Sequence, residues 1–167
     1  MNYSLKYMVR ASLFAALIAI CAWITVPIFD IGFTMQTFAI FLTLGLLGGK
    51  WGSVSILIYL LLGTVGLPVF SGFRGGPGVL LGVTSGYLWG FALSGLVYWM
   101  LERFGKLTAM IAGMIVCYIC GSAWFMVYAG GGLGVILLRC VVPYLIPDAM
   151  KIWMAYTLSR RISHYIR

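Results

Sequence analysis

Long apolar runs recur from one end of this chain to the other, and only short interruptions separate them. A membrane-spanning helix needs about 20 mostly apolar residues, and backbone groups inside a bilayer must pair within their own segment, so such runs favour spanning helices. With 63% hydrophobic and only 8% charged residues, the chain also lacks the polar surface of a soluble domain. We predict an all-α integral membrane protein with one domain over 1–167 and six transmembrane helices, at 8–28, 34–48, 52–66, 83–101, 107–128 and a last span ending near residue 160.

The distribution of positive charge predicts the orientation of these six spans. Cytoplasmic loops collect Lys and Arg, and an even number of spans places both termini on one side. With cytoplasmic termini, Arg74 alone lies outside, and eight cations lie inside: Lys6, Arg10, Lys50, Arg103, Lys106, Arg160, Arg161 and Arg167. The net charge of +8 therefore reflects membrane topology and not a nucleic-acid-binding face.

A glycine-rich stretch, GLPVFSGFRGGPGVLLGVTSGY, lies between the third and fourth predicted helices, on the outer side. It contains too many glycines for a continuous helix and is too apolar for a solvated linker, so we expect it to fold back onto the membrane domain. Long structured loops are often functional. A lid over an external pocket and a passive connector both remain open at this point.

Small residues follow one side of the first predicted span. Ala11, Ala15 and Ala19 recur at four-residue spacing, which places them on one helix face and permits close approach of another helix. Such a stripe serves equally well for contact with a helix of the same chain and for binding a partner subunit. The sequence pattern alone does not choose between them.

Two polar residues, Thr34 and Gln36, lie at the outer end of the second predicted span. A hydroxyl and an amide inside a membrane helix must find hydrogen-bond partners. Bonding to a neighbouring helix and lining a pocket are the two interpretations, and we weigh them equally.

The last apolar segment carries an acid and a base, Asp148 and Lys151, on one helix face. Each charge alone costs about 2.5–3.5 kcal/mol at mid-membrane, so the pair marks a candidate functional site. Pro147 predicts that a short final helix begins there, with Asp148 in its first turn and Arg139 in a separate piece packed above. Discontinuous helices of this kind build solute sites in transporters. A purely structural ion pair is the alternative.

The side chains around this pair predict a small, partly apolar and anionic ligand. Asp148 accepts hydrogen bonds from ligand N–H groups, whereas Lys151, Arg139 and Arg74 attract a carboxylate. Aromatic candidates for the apolar wall are Tyr87, Trp89, Tyr144 and Trp153.

Catalytic machinery is missing from the sequence. No phosphate-binding G-x-x-x-x-G-K-[ST] loop occurs, since the nearest match, GLLGGKWG, fails at its first glycine and after Lys50. The three acids, Asp30, Glu102 and Asp148, are too dispersed for paired-carboxylate or metal chemistry, and the four cysteines lie in apolar sequence. We therefore predict no enzymatic activity, no cofactor and no metal.

Several segments together carry a resemblance to a known family: RASLFAALIA, FTMQT, LGTVGLPVF, GVTSGY and VVPYLIPDAMK, in this order. The chain resembles BioY, the biotin-binding S component of energy-coupling-factor vitamin transporters. The resemblance implies a six-helix subunit of the bacterial cell membrane that binds biotin from outside. It also implies two kinds of partner, a transmembrane coupling subunit and two ABC-type ATPases.

The resemblance also implies roles for individual residues. The alanine stripe, Ala11 and Ala15 with Ala19, would contact the coupling subunit, and the family's aspartate and lysine correspond to Asp148 and Lys151. Tyr87 is retained, whereas Arg74, Val83 and Ser85 depart from the family pattern in the glycine-rich loop. Biotin fits the predicted ligand, because its ureido N–H groups suit Asp148 and its carboxylate needs a cation. The cation that binds it is left open.

Three other functions compete with this interpretation. The same architecture would serve another vitamin or small carboxylate. A membrane protein without a ligand would use the ion pair only to stabilise its fold. A small channel fits less well, because no span shows a polar stripe.

Overall fold

Helices make up most of the structure, a computed structural model that describes residues 3–28, 31–130 and 132–166. In chain order the elements are α1 (Tyr3–Trp23), β1 (Thr25–Ile28), β2 (Ile31–Thr34), α2 (Gln36–Val65), α3 (Ser85–Leu101), α4 (Lys106–Ala129), α5 (Leu133–Cys140) and α6 (Val142–Ile166). Short 3-10 helices cover Pro77–Leu81 and Glu102–Phe104. Among the described helices, three are long and apolar enough to cross a membrane: Leu5–Trp23, Gln36–Val65 and Lys106–Ala129. Asp30 lies outside the described residues.

The helix α2 reverses direction at Gly48, where φ is 77° and ψ is 170°. Glycine adopts this left-handed conformation without a steric penalty. The first arm, 36–47, and the second arm, 49–65, run antiparallel, because a Cβ on Gly52 would lie 2.9 Å from the Cα of Leu44. With α1, α3, α4 and α6, the two arms make six passes. The predicted helical membrane fold is confirmed, with a small two-stranded sheet added to it.

Two charged side chains stabilise the Gly48 turn. A carboxylate oxygen of Glu102 accepts a hydrogen bond from the backbone N–H of Gly49 at 2.8 Å, at the start of the second arm. The ammonium of Lys106 donates to the carbonyl of Gly45 at 2.8 Å, near the end of the first arm. A negative charge thus meets the positive end of one helix dipole and a positive charge the negative end of the other. The turn after α3 therefore lies at the same end of the bundle as Gly48.

The first predicted span, 8–28, is too long. The helix α1 ends at Trp23, and β1 then pairs with β2 in an antiparallel hairpin that places Thr25 opposite Thr34. A β-branched Thr25 and the nearby Pro27 disfavour helix and favour extended backbone. The Thr25 hydroxyl also donates to a carbonyl in the last turn of α1 at 2.7 Å. Thr34 consequently belongs to β2 and not to the second span.

The prediction that the last helix begins near Pro147 is wrong. The segment does divide into two helices, but the break lies at Val141, where φ is −124° and ψ is −56°. From Val142 the helix α6 continues through Pro147 as far as Ile166. A proline inside a helix removes one hydrogen bond, and the helix nevertheless continues on both sides of Pro147. Asp148 therefore lies in the second turn of α6, so free amides at a helix start do not explain its position.

The alanine stripe of α1 faces the interior of the chain. Ala11, Ala15 and Ala19 are only 0%, 1% and 6% exposed, and α1 packs chiefly on α2. Small side chains permit this close packing. In this structure the stripe therefore makes contacts within the chain, and the partner surface predicted on these three residues is not exposed. The face of α1 that is exposed carries large apolar side chains, including Leu13 and Ile20.

The outer loop, residues 66–84, folds back onto the bundle as expected. Its anchor is Phe70, which is 1% exposed and meets the Tyr59 ring edge-on, with 5.5 Å between centroids. The Phe70 ring occupies the space beside Gly63, where a Cβ would lie 2.1 Å from Cζ of the ring. The N–H of Gly76 donates to the Gly63 carbonyl at 2.7 Å. The loop is thus a packed cover and not a loose connector.

A methyl group at position 63 should loosen this cover. Gly63→Ala forces the fully buried Phe70 ring to move, and overpacking of this kind costs about 1–3 kcal/mol. Alanine recovers up to about 1 kcal/mol of helix propensity, but a contact of 2.1 Å lies at the severe end of overpacking, so we expect a net loss of about 1–2 kcal/mol. Thermal unfolding in one detergent measures it. Gly78→Ala is the control, because nothing lies within 4 Å of its Cβ. Equal stability of Gly63→Ala and the parent would contradict the role of Phe70.

Candidate ligand-binding site

A cavity lies beneath the outer loop and combines aromatic walls with a few polar groups, as small-molecule sites do. The hairpin and the loop contribute one side of it, and α2, α3, α4, α5 and α6 contribute the rest. Its lining residues are Gly32, Phe33, Thr34, Gln36, Thr37, Phe70, Ser71, Arg74, Val79, Thr84, Tyr87, Leu88, Phe91, Met114, Cys117, Tyr118, Cys140, Tyr144, Asp148 and Lys151.

The ion pair of Asp148 and Lys151 lies at the buried part of this cavity. The Lys151 ammonium is 2.8 Å from Oδ1 of Asp148, and the two side chains are 6% and 8% exposed, respectively. One turn of α6 separates the residues, so both side chains project from the same face of the helix. Bringing two charges out of water is favourable only when further hydrogen bonds compensate. Those bonds come from other elements of the chain.

Two hydroxyl groups complete the surroundings of the Asp148 carboxylate. Tyr118 on α4 donates to Oδ2 at 2.6 Å, a short bond of the charge-assisted kind. Thr37 on α2 donates to Oδ1 at 3.3 Å. Because a carboxylate has about four acceptor positions, the partners found among the described residues, Lys151, Thr37 and Tyr118, leave one position free on Oδ2. A ligand N–H group has an acceptor there.

The Lys151 ammonium uses all three of its N–H groups within the chain. It donates to the Thr34 carbonyl at 2.6 Å, to Oδ1 of Asp148 at 2.8 Å and to the Thr37 hydroxyl at 3.1 Å. It also lies 3.7 Å from the centroid of the Phe33 ring, a cation–π contact. Lys151 thereby links α6 to the hairpin and to α2.

Two further polar contacts fix the walls of the cavity. The Gln36 amide donates to the Tyr59 hydroxyl at 3.0 Å and joins the two arms of α2. The Tyr87 hydroxyl donates to the Cys140 carbonyl at 3.0 Å and joins α3 to the end of α5. Gly121 makes room for the Tyr87 ring, since a Cβ there would lie 2.4 Å from it. Both side chains are held in place before any ligand binds.

Six of the seven ligand-binding residues predicted from the sequence line this one cavity: Asp148, Lys151, Tyr87, Gln36, Thr34 and Arg74. Arg139, on the last turn of α5, is exposed and is not among the lining residues, although its neighbour Cys140 is. Of the other aromatic candidates, Tyr144 lines the cavity, whereas Trp89 and Trp153 are exposed on the outside of the bundle and are not among the lining residues.

Sequence reasoning did not identify Tyr118 or Thr37. Thr37 had a usable signal, because it directly follows Gln36 in a polar cluster at the same membrane depth. Tyr118 had none, because nothing in the sequence separates it from the other nine tyrosines.

Among the described side chains, no group of three or more His, Cys, Asp or Glu is placed to hold a metal ion. The site is suited to binding an organic ligand through hydrogen bonds.

Removing one charge of the buried pair should destabilise the protein more than removing both. Asp148→Asn or Lys151→Met leaves a buried charge without its partner, which costs about 3–5 kcal/mol, whereas the double variant leaves neither charge. Without ligand, we expect the double variant to lose less thermal stability than the sum of the losses in the two single variants. Lys50→Met, at an exposed lysine, is the control and should change stability by less than about 0.5 kcal/mol. Additive losses would show that the two charges are not coupled.

Comparison with known proteins identifies the family. The model of the BioY family matches residues 1–167. The biotin transporter BioY of Thermotoga maritima is 37% identical over 79% of this chain and 70% of the relative, and the probable biotin transporter BioY of Pyrococcus horikoshii is 34% identical over 90% and 92%. A crystal structure of the S-component for biotin from an ECF-type ABC transporter matches with a TM-score of 0.88 at 25% identity, over 96% of this chain and 92% of that one. The resemblance carried by the sequence motifs is confirmed, and the chain belongs to the BioY family.

Proposed function

We propose that this chain is the substrate-binding S component of an energy-coupling-factor transporter and that it captures biotin at the outer face of the membrane. The observation that carries the proposal is the buried Asp148 carboxylate, which keeps an acceptor position open in a cavity under the outer loop. Membership of a transporter family supports it, as does the fold shared with an S-component for biotin. The chain is a transport component and not an enzyme.

The chemistry of biotin matches the lining of the cavity. Its ureido group carries two N–H donors, and Asp148 offers the acceptor. Its fused rings are largely apolar and suit a wall built from aromatic side chains such as Phe33, Phe91 and Tyr87. Its valerate carboxylate requires a cation, and Lys151 and Arg74 are the cations among the lining residues. Arg139 directly precedes Cys140, which lines the cavity, and it belongs to the same proposal as a more distant cation.

The proposal includes partners that supply the energy for import. These are a transmembrane coupling subunit and two ABC-type ATPases, assembled in the cytoplasmic membrane of a bacterial cell. The sequence supports the need for them, because it contains no phosphate-binding loop that would bind ATP. The fold neighbour, which is the S-component of an ECF-type ABC transporter, supports the type of assembly.

Asp148→Asn should weaken biotin binding. The amide removes the charge that strengthens hydrogen bonds from the ureido group, so we expect at least a tenfold loss, about 1.4 kcal/mol. Titration of purified protein with labelled biotin measures it, and competition with other vitamins and small carboxylates checks the choice of ligand. Glu102→Gln is the control, an acid-to-amide change at the opposite end of the bundle. Unchanged affinity in Asp148→Asn would remove Asp148 from the site.

Uptake of labelled biotin should depend on the proposed partners. Cells that express this chain with the coupling subunit and both ATPases should accumulate biotin, and accumulation should stop when the ATPases are inactivated. Accumulation that continues without ATP hydrolysis would remove the partners from the proposal. A structural protein without a ligand is distinguished before any uptake assay, because biotin would produce no thermal shift in it at any concentration.

A further inference from the structure

Among the residues that the structure describes, two cations line the cavity, and their surroundings differ. Lys151 is 5% exposed, and all three of its N–H groups already donate to acceptors of the chain. Arg74 is exposed at the loop side of the cavity. The two residues therefore offer a ligand very different amounts of unused hydrogen-bonding capacity.

Lys151 has no N–H group left for a ligand carboxylate. To bind one, it would have to release Asp148, Thr37 or the Thr34 carbonyl, and each release leaves a buried acceptor without its donor. A ligand carboxylate at this position would also lie beside the Asp148 carboxylate, with which it would share a single cation. The ring of Phe33, 3.7 Å from the ammonium, covers another approach. The surroundings of Lys151 fit a residue that positions Asp148.

Arg74 retains most of its donors. Its Nε–H donates to the Ser71 carbonyl at 3.0 Å, and of the five N–H groups of a guanidinium the four terminal ones are not used by described residues. Neither acid within the described ranges pairs with it, because Asp148 pairs with Lys151 and Glu102 lies at the opposite end of the bundle. Such a guanidinium is well suited to bidentate binding of a carboxylate.

The loop holds Arg74 in a defined place. Its carbonyl accepts a hydrogen bond from the N–H of Phe70 at 2.9 Å, and this bond closes a tight turn. Gly72 and Phe73, within the turn, have φ of 71° and 56°. Because the buried Phe70 ring anchors one end of the turn, the backbone of Arg74 is fixed at the edge of the cavity. A carboxylate that enters from outside meets an oriented side chain.

We infer that Arg74 binds the carboxylate of the ligand at the outer side of the cavity, while Asp148 binds its N–H groups inside and Lys151 serves only to position Asp148. This inference rests on the proposed function. It assigns an orientation to the ligand and makes Arg74 a specificity-determining residue for ligands that carry an anionic tail. Arg74 departs from the pattern that the family resemblance leads one to expect, so this recognition would be a property of this chain.

Comparing biotin with its neutral carboxamide tests the assignment, because the carboxamide lacks only the negative charge. We expect Arg74→Gln to weaken biotin binding at least about tenfold while changing carboxamide binding by less than about threefold. Lys151→Met and, as a milder second variant, Lys151→Arg should weaken the binding of both ligands by the same factor. Arg74→Lys should restore part of the preference for biotin. Arg139→Gln tests the more distant cation, and Arg103→Gln, at an exposed arginine at the opposite end of the bundle, is the matched control.

Each outcome of this comparison is decisive. Equal losses for the two ligands in Arg74→Gln would show that Arg74 acts on the loop and would overturn the inference. A loss confined to biotin in the Lys151 variants or in Arg139→Gln would assign the carboxylate to that residue instead. Failure of the unaltered protein to bind either ligand would reject the proposed function itself, an outcome distinct from the other two.

Discussion

The ion pair of Asp148 and Lys151 is the interaction on which the arrangement of the other elements depends. Two charges in apolar surroundings are tolerated only when hydrogen bonds from elsewhere compensate for lost water. Here the compensation comes from Thr34 in β2, Thr37 in α2 and Tyr118 in α4. The hairpin, the first arm of α2 and α4 are thereby held around one turn of α6. The cavity is the space that remains between them.

Hydropathy predicted the number of passes but not the course of the chain between them. A window of apolar residues reports how favourable transfer into lipid is, and it carries no information on the course of the backbone. Thr25 and Val26 were therefore assigned to a helix although they form a strand. The reverse error occurred at Pro147, where a local rule predicted a helix start although the helix continues through the proline. The sharp turn at Gly48 was placed within two residues, because glycines interrupted the pattern there.

The charged residues of the site were predictable and the neutral ones were not. Asp148 and Lys151 stand out in sequence because a charge in a membrane is costly, whereas the hydroxyl of Tyr118 costs little and resembles that of any interfacial tyrosine. The alanine stripe was ambiguous for a physical reason, since close packing within a chain and between chains requires the same small side chains. Burial of Ala11 and Ala15 in this structure favours close packing within the chain.

The helix α6 runs without a break from the cavity to the opposite end of the bundle. Beyond Asp148 it reaches Ser159, whose Cβ would lie 2.7 Å from a Cβ on Gly45, next to the Gly48 turn. From Asp148 to Ser159 this one continuous helix spans about 16 Å. One helix thus connects the Asp148 carboxylate to the end of the bundle where Glu102 and Lys106 stabilise the Gly48 turn. The cavity and the opposite end of the bundle are therefore joined by a single helix, α6.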